Sequence, residues 1–198
     1  MAVSSELVKQ LRESTGAGMM DCKKALDASG GNLDQAHAWL LERGLSSAAK
    51  KASRETNDGV VELYQHSGGR LGVMVEVNCE TDFVARTPDF KTLAHDVAIQ
   101  IASTGPLFVR REDVPATVLA SQSASIREEL HSQEKSATDI DAEVATRIES
   151  WFKDSVLLEQ SFVKDDTVKI SDMIKAAISK MGENVIIRRF SRFQLGGE

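Results

Sequence analysis

The chain has 198 residues, of which 41% are hydrophobic and 27% charged, with a formal net charge of -6. That length suits a small domain joined to a larger one, and the mixture of apolar and charged residues excludes a generally disordered chain. An acidic whole argues against a body devoted to nucleic acid, and no apolar run approaches the length of a membrane span. The opening Met1-Ala2-Val3-Ser4-Ser5-Glu6 lacks the basic start and apolar core of a signal peptide, so the expected compartment is the cytoplasm. Cys22 and Cys79 lie in separate segments without a CxxC, and His37, His66, His95 and His131 form no HxxxH or HxH pair. Neither a metal nor a cofactor is therefore expected.

The first 55 or so residues read as short helices. Leu7, Val8 and Leu11 form an apolar stripe on the first, with Ser4 or Ser5 as its cap. Gly16-Ala17-Gly18 breaks it. Met19, Met20, Ala25 and Leu26 mark a second helix, stopped by Gly30-Gly31. Asn32 opens a third: its side chain can accept from the Gln35 N–H while Gln35 reaches back, as in a capping box. Leu33, Ala36, Trp39 and Leu40 supply its inner face, and Gly44 is placed to end it. Ser46 to Arg54 reads as a solvated connector with some helical character. A module this small suits docking onto a partner.

At Gly59 the period changes. Val60, Val61, Leu63 and Tyr64 read as a strand, residues 66–70 as a turn, and Leu71, Val73, Val75 and Val77 as alternate positions of a second strand, giving a hairpin. Thr87-Pro88 caps and starts a helix that carries Phe90, Leu93, Ala94, Val97 and Ile101 and ends at Gly105-Pro106. A further helical stretch opens at Asp113-Val114-Pro115 and runs with interruptions to about Leu158, with a break into two antiparallel helices at Ser136-Ala137-Thr138. Ser171 to Met181 is another helix stopped by Gly182. Val185-Ile186-Ile187 with Phe190, Phe193 and Leu195 form a closing strand. A last strand returning to an early hairpin predicts an α+β fold with a three-stranded antiparallel sheet and helices packed on one face. The predicted domains are residues 1–55 and 56–198.

One stretch departs from this packing logic. Asn78-Cys79-Glu80-Thr81-Asp82-Phe83-Val84-Ala85-Arg86 lies between a strand and a capped helix, where a surface loop or short turn belongs. Phe83 either folds inward onto the following helix, with Asp82 capping a turn, or projects as a wedge into a partner with Asp82 as an adjacent acceptor. Periodicity leaves both open.

Glu80-Thr81-Asp82-Phe83-Val84-Ala85-Arg86 resembles a signature loop of the elongation factor Ts family, and the run from Val8 to Leu26 resembles that family's other signature. Phe162-Val163-Lys164-Asp165-Asp166, Gly182-Glu183-Asn184, Arg188-Arg189-Phe190 and Arg192-Phe193 match its tail in order. The resemblance implies a guanine-nucleotide exchange factor of translation elongation. Its partner would be elongation factor Tu, contacted at the G domain and the neighbouring domain. The N-terminal helices would be a ubiquitin-associated-like domain contacting that partner through Arg12, Met19 and Met20; by residue type alone these are a solvated charge and core methionines. Thr81, Asp82, Phe83 and Val84 would displace the partner's Mg²⁺ and GDP so that GTP can rebind. The chain has no room for the second core half and coiled-coil insertion of longer members, so it resembles the short form, and a homodimer is implied. An exchange factor makes and breaks no covalent bond, so no catalytic residue is expected.

Three other readings remain on residue type. A three-helix binding module could be fused to an inert α+β domain, and this would leave GDP release unchanged. Lys50-Lys51-Arg54 and Arg188-Arg189-Arg192 could touch RNA phosphates, although solvated charge is the simpler account in an acidic chain. A hydrolase lacks support, since GxSxG, a Cys-His arrangement and a P-loop are all missing from the sequence.

Overall fold

In the computed structural model, which describes residues 3–131 and 137–197, the helices are α1 Ser5–Thr15, α2 Met19–Ala28, α3 Leu33–Lys51, α4 Asp82–Ala85, α5 Pro88–Thr104, α6 Ala116–His131, α7 Ala137–Ser155 and α8 Ile170–Met181. The strands are β1 Asp58–Gln65, β2 Leu71–Cys79, β3 Ser161–Phe162, β4 Asp165–Lys169 and β5 Val185–Gln194. One sheet has the order β1-β2-β5 and a second pairs β3 with β4, so the fold is α+β. The chain divides into two compact units. One draws on Met1–Val61, Glu76–Ala94 and Asp172–Ile187, the other on Glu62–Val75, His95–Ser171 and Arg188–Glu198.

In the first unit, Ser4 caps α1 by accepting the Leu7 N–H at 3.2 Å, and Gly16 closes it in the left-handed conformation. Asn32 caps α3 by accepting the Gln35 N–H at 3.0 Å. The return bond from the Gln35 side chain is not formed among the described residues. Val8, Leu11, Cys22, Ala25, Leu26 and Ala36 make the helical core, with Leu33, Trp39 and Leu40 partly buried against it. Gly44 does not end α3, which continues to Lys51 and takes in most of the expected connector. A mid-helix Gly costs about 1 kcal/mol against Ala, but here the missing side chain makes room. A Cβ at Gly44 would lie 3.3 Å from the Ser179 Cβ and Oγ on α8. Gly59 is more constrained: its φ is +149°, and a Cβ there would lie 2.1 Å from the Val77 carbonyl oxygen of β2.

Val73, Val75 and Val77 of β2 are buried while Met74 is exposed, so the alternation is clear in the middle of the strand; on the Met74 face Glu76 is half-buried and Asn78 buried. In the second unit, the Leu195 N–H donates to the Arg70 carbonyl at 2.8 Å, bringing the end of β5 to the start of β2 as opposed strand directions require. Thr87 caps α5 by accepting the Phe90 N–H at 3.3 Å, and Gly105 follows its last turn with φ +60°, both as predicted. Helices α6 and α7 enclose Leu130, Ile140 and Val144. Of their predicted break at Ser136-Ala137-Thr138, Ala137 and Thr138 already belong to α7, and Ser136 lies outside the described residues.

The β3–β4 hairpin has no counterpart among the predicted elements. It is tied to α5 by the fully buried Gln100, whose amide donates to the Gln160 Oε1 at 3.0 Å and the Ser161 carbonyl at 3.1 Å while its oxygen accepts the Val163 N–H at 2.8 Å. Arg111 packs over the Phe152 ring at 4.4 Å and holds both Glu149 and Glu159, at 2.8 and 2.9 Å. Those paired carboxylates keep its guanidinium charged well beyond the ordinary range, and Arg111 in turn holds the Glu149 carboxyl below the usual one.

Candidate functional site

The segment after β2 is a single turn of helix. Thr81 has extended backbone and is the N-cap of α4, accepting the Val84 N–H through its hydroxyl at 3.5 Å. Asp82, Phe83 and Val84 occupy the turn, and the Ala85 side chain faces inward with 5% exposure. Phe83 is 80% exposed, so the inward placement of its ring is excluded. Asp82 does not cap the turn; its carboxylate pairs with Arg86 at 2.9 Å on the outer side. Thr81 and Val84 are half-buried.

A turn of four residues has too few hydrogen bonds to persist alone in water. Here it is held from outside. The Glu183 Oε2 accepts the backbone N–H groups of Glu80 and Thr81 at 3.1 and 3.0 Å, and its Oε1 accepts the Thr81 hydroxyl at 2.6 Å. Glu80 reciprocates by accepting the Asn184 N–H at 2.6 Å and pairing with Arg54 at 3.3 Å. The Asn184 bond, with Arg54 as the lesser contributor, holds the Glu80 carboxyl below its ordinary range. The Asn184 side chain donates to the carbonyls of Arg54 and Ala52 at 2.9 and 3.4 Å. The Cys79 thiol donates to the Thr81 carbonyl at 3.2 Å. Burial, reinforced by the nearby Glu183 charge, pushes that thiol up to about 11.

The other candidate residues lie on the helical core. Arg12 is exposed in the last turn of α1. Met19 and Met20 open α2 and are 55% and 64% exposed, so they are not the core methionines that residue type alone suggests. The structure thus gathers Thr81 to Val84 on one short helix and leaves Arg12, Met19 and Met20 on the surface of α1 and α2. Glu80, Glu183 and Asn184 carry no role in the sequence reading. The available signals were their place in the segments that resemble the family and Gly182 stopping a helix directly before two hydrogen-bonding side chains.

Among the described residues no group of three or more His, Cys, Asp or Glu is placed to hold a metal ion, and no helix is long and apolar enough to cross a membrane. Cys22 and Cys79 are free and buried. The turn at 81–84 offers an exposed ring beside a paired charge, and the α1–α2 surface offers two exposed methionines and the exposed Arg12.

Comparison with known proteins agrees with that character. The family profile described as elongation factor TS matches residues 46–197. The chain is 51% identical over 197 residues to an elongation factor Ts of Methylacidiphilum infernorum, covering 100% of this chain and 97% of that relative. It is 50% identical over 196 residues to one of Herpetosiphon aurantiacus, covering 99% of each. It is 52% identical over 194 residues to one of Heliobacterium modesticaldum, covering 98% of this chain and 90% of that relative. With identity at this level over almost the whole length, the chain belongs to the elongation factor Ts family.

Proposed function

We propose that the chain is a guanine-nucleotide exchange factor that binds elongation factor Tu·GDP in the cytoplasm and frees the nucleotide so that GTP can rebind. The observation that carries this reading is Phe83, a large apolar ring 80% exposed on a turn anchored at its base. Exposed apolar side chains on a fixed element are characteristic of docking surfaces. In this reading Phe83 enters the partner's G domain with Asp82 beside it, and Thr81 and Val84 complete the contact. A bound nucleotide is held partly through Mg²⁺, which neutralises phosphate charge. The wedge displaces that ion, which belongs to the partner. Factor and nucleotide then weaken each other's binding by the same factor, as linkage demands. No covalent bond changes.

Residues 1–55 form the ubiquitin-associated-like domain in this account. Arg12, Met19 and Met20 rest on the partner and supply the affinity that a single wedge cannot. Residues 56–198 form the core. Leu63, Met74, Phe193 and Leu195 are 69%, 48%, 75% and 63% exposed, an apolar surface that a second copy of the chain would cover in a homodimer. The decisive experiment is release of labelled GDP from purified elongation factor Tu with and without the protein. Release accelerated by substoichiometric factor supports the reading, and an unchanged rate would reduce the chain to a binding module.

A further inference from the structure

We propose that Glu183, at the far end of the sequence, is the positioning residue of the 81–84 turn, setting the direction in which Phe83 is presented. The inference rests on the exchange reading above and deepens it. It starts from the hydroxyl of Thr81, which is used twice. Its hydrogen goes to the Glu183 Oε1 at 2.6 Å, and its oxygen receives the Val84 N–H at 3.5 Å. A hydroxyl hydrogen rotates to suit its strongest acceptor. A carboxylate at 2.6 Å is that acceptor, so Glu183 turns the Thr81 lone pairs toward the first turn of α4. The cap that creates the turn is therefore set by a side chain outside it.

The other carboxylate oxygen fixes the backbone on the approach to the turn through the Glu80 and Thr81 N–H groups. Glu183 itself has little freedom. Its neighbour Asn184 donates its backbone N–H to Glu80 and its side-chain amide to the Arg54 and Ala52 carbonyls. Glu80 and Glu183 thus cross over, each accepting from the backbone of the other's segment. The stretch from Gly182 to Asn184 and the turn are locked as one piece, and the Phe83 ring is held out in water before any partner arrives. A site prepared in its bound conformation avoids the ordering cost of association.

The experiment compares the parent with Glu183→Ala, Glu183→Gln, Thr81→Val and Thr81→Ser. Amide hydrogen exchange at residues 80–85 is measured in the free protein. Stopped-flow release of fluorescent GDP from elongation factor Tu over rising factor concentration then separates the maximal rate from the half-saturating concentration. Glu183→Ala should lose protection at the Glu80 and Thr81 amides. Its maximal rate should fall roughly tenfold as the presented conformation drops to about one-tenth occupancy, with the half-saturating concentration within about threefold of the parent because Arg12, Met19 and Met20 are intact. Glu183→Gln keeps one acceptor oxygen, enough for the backbone N–H groups or the Thr81 hydroxyl but not both, and should fall between Glu183→Ala and the parent. In the free protein Thr81→Val, which leaves the Glu183 Oε2 contacts in place, should lose protection at the Val84 amide while the Glu80 and Thr81 amides stay protected, and Thr81→Ser should keep protection at all three. A general loss of stability would instead lower the fraction of active factor and leave the maximal rate per active molecule unchanged. Parent-like protection in Glu183→Ala, or lost protection with a parent-like maximal rate, overturns the proposal. If Glu183→Ala melts early, Val84 amide protection in the free Thr81→Val and Thr81→Ser proteins tests the relay through the Thr81 hydroxyl in its place. Should the parent itself fail to accelerate release, the exchange reading fails, and the amide data still report on the Glu183 anchor.

Discussion

Replacing Phe83 by Ala separates docking from folding. The ring is 80% exposed in the free protein, so its removal opens no core cavity. The unfolding midpoint should stay close to that of the parent, against the roughly 3–5 kcal/mol that truncating a buried Phe costs. In the proposed complex the same ring becomes buried, and burying a Phe side chain is worth about 1.5–3 kcal/mol. At ~1.4 kcal/mol per decade that corresponds to about one to two decades in factor-stimulated GDP release. A larger effect would exceed what one ring can supply and would point to a rearranged loop. The assay pairs chemical denaturation of the variant alone with stopped-flow release of a fluorescent GDP from elongation factor Tu. A variant that exchanges nucleotide at the parent rate would refute the wedge, and one that unfolds easily would show that the ring packs inward in solution.

Arg12→Ala should weaken association with elongation factor Tu in titration calorimetry while leaving the melting temperature nearly unchanged, because the side chain is exposed on α1; a large fall in melting temperature at unchanged affinity would make Arg12 a structural residue. Cys79 should resist iodoacetamide at pH 8 in the folded protein and react readily once unfolded, since its thiol is pushed up to about 11. The raised folded value means that its share of stability is complete below the unfolded thiol range and is lost as pH rises toward 11, which alkaline denaturation of a Cys79→Ala variant would check. Glu80 runs the other way: with its carboxyl held low, its stabilisation is present above the ordinary glutamate value of about 4.3 and fades as pH falls below it. Protection of the Asn184 amide, taken relative to its intrinsic exchange rate at each pH, should therefore fall in acid, and Glu80→Gln should remove that dependence. Sedimentation equilibrium at micromolar concentration should give twice the chain mass, and a value of 21.6 kDa would rule out the homodimer.

Elements governed by neighbours in sequence were legible. The alternation of Val73, Val75 and Val77, the Thr87-Pro88 start and the Gly105 stop each carry their own instruction. Features set by distant neighbours were hidden. Gly44 reads as a helix stop until Ser179 is seen beside it, and nothing local in residues 161–169 announces the Gln100 amide that pins the hairpin. The site divided in the same way. The odd position of Phe83 was visible, but its direction was not, because Glu183 lies 102 residues from Thr81. Met19 and Met20 were ambiguous for a related reason: a helical period gives the spacing of apolar residues but not which face is covered.

The ion pair between Asp82 and Arg86 sets a limit on what the acidic residue can add on docking. Its Oδ2 is already paired at 2.9 Å in the free protein, and the pair sits largely in water, with side-chain exposures of 44% and 78%. A partner donor that takes over Oδ2 replaces one charged contact by another, and one that reaches Oδ1 joins a carboxylate whose charge Arg86 already offsets, so the net gain is small. Such an exchange of partners selects more than it binds. A surface that offers a well-aimed donor completes the swap, whereas one that lacks it strands a desolvated carboxylate and is rejected. On the proposed docking, Phe83 would govern how tightly the tip is held, and the residue before it by whom.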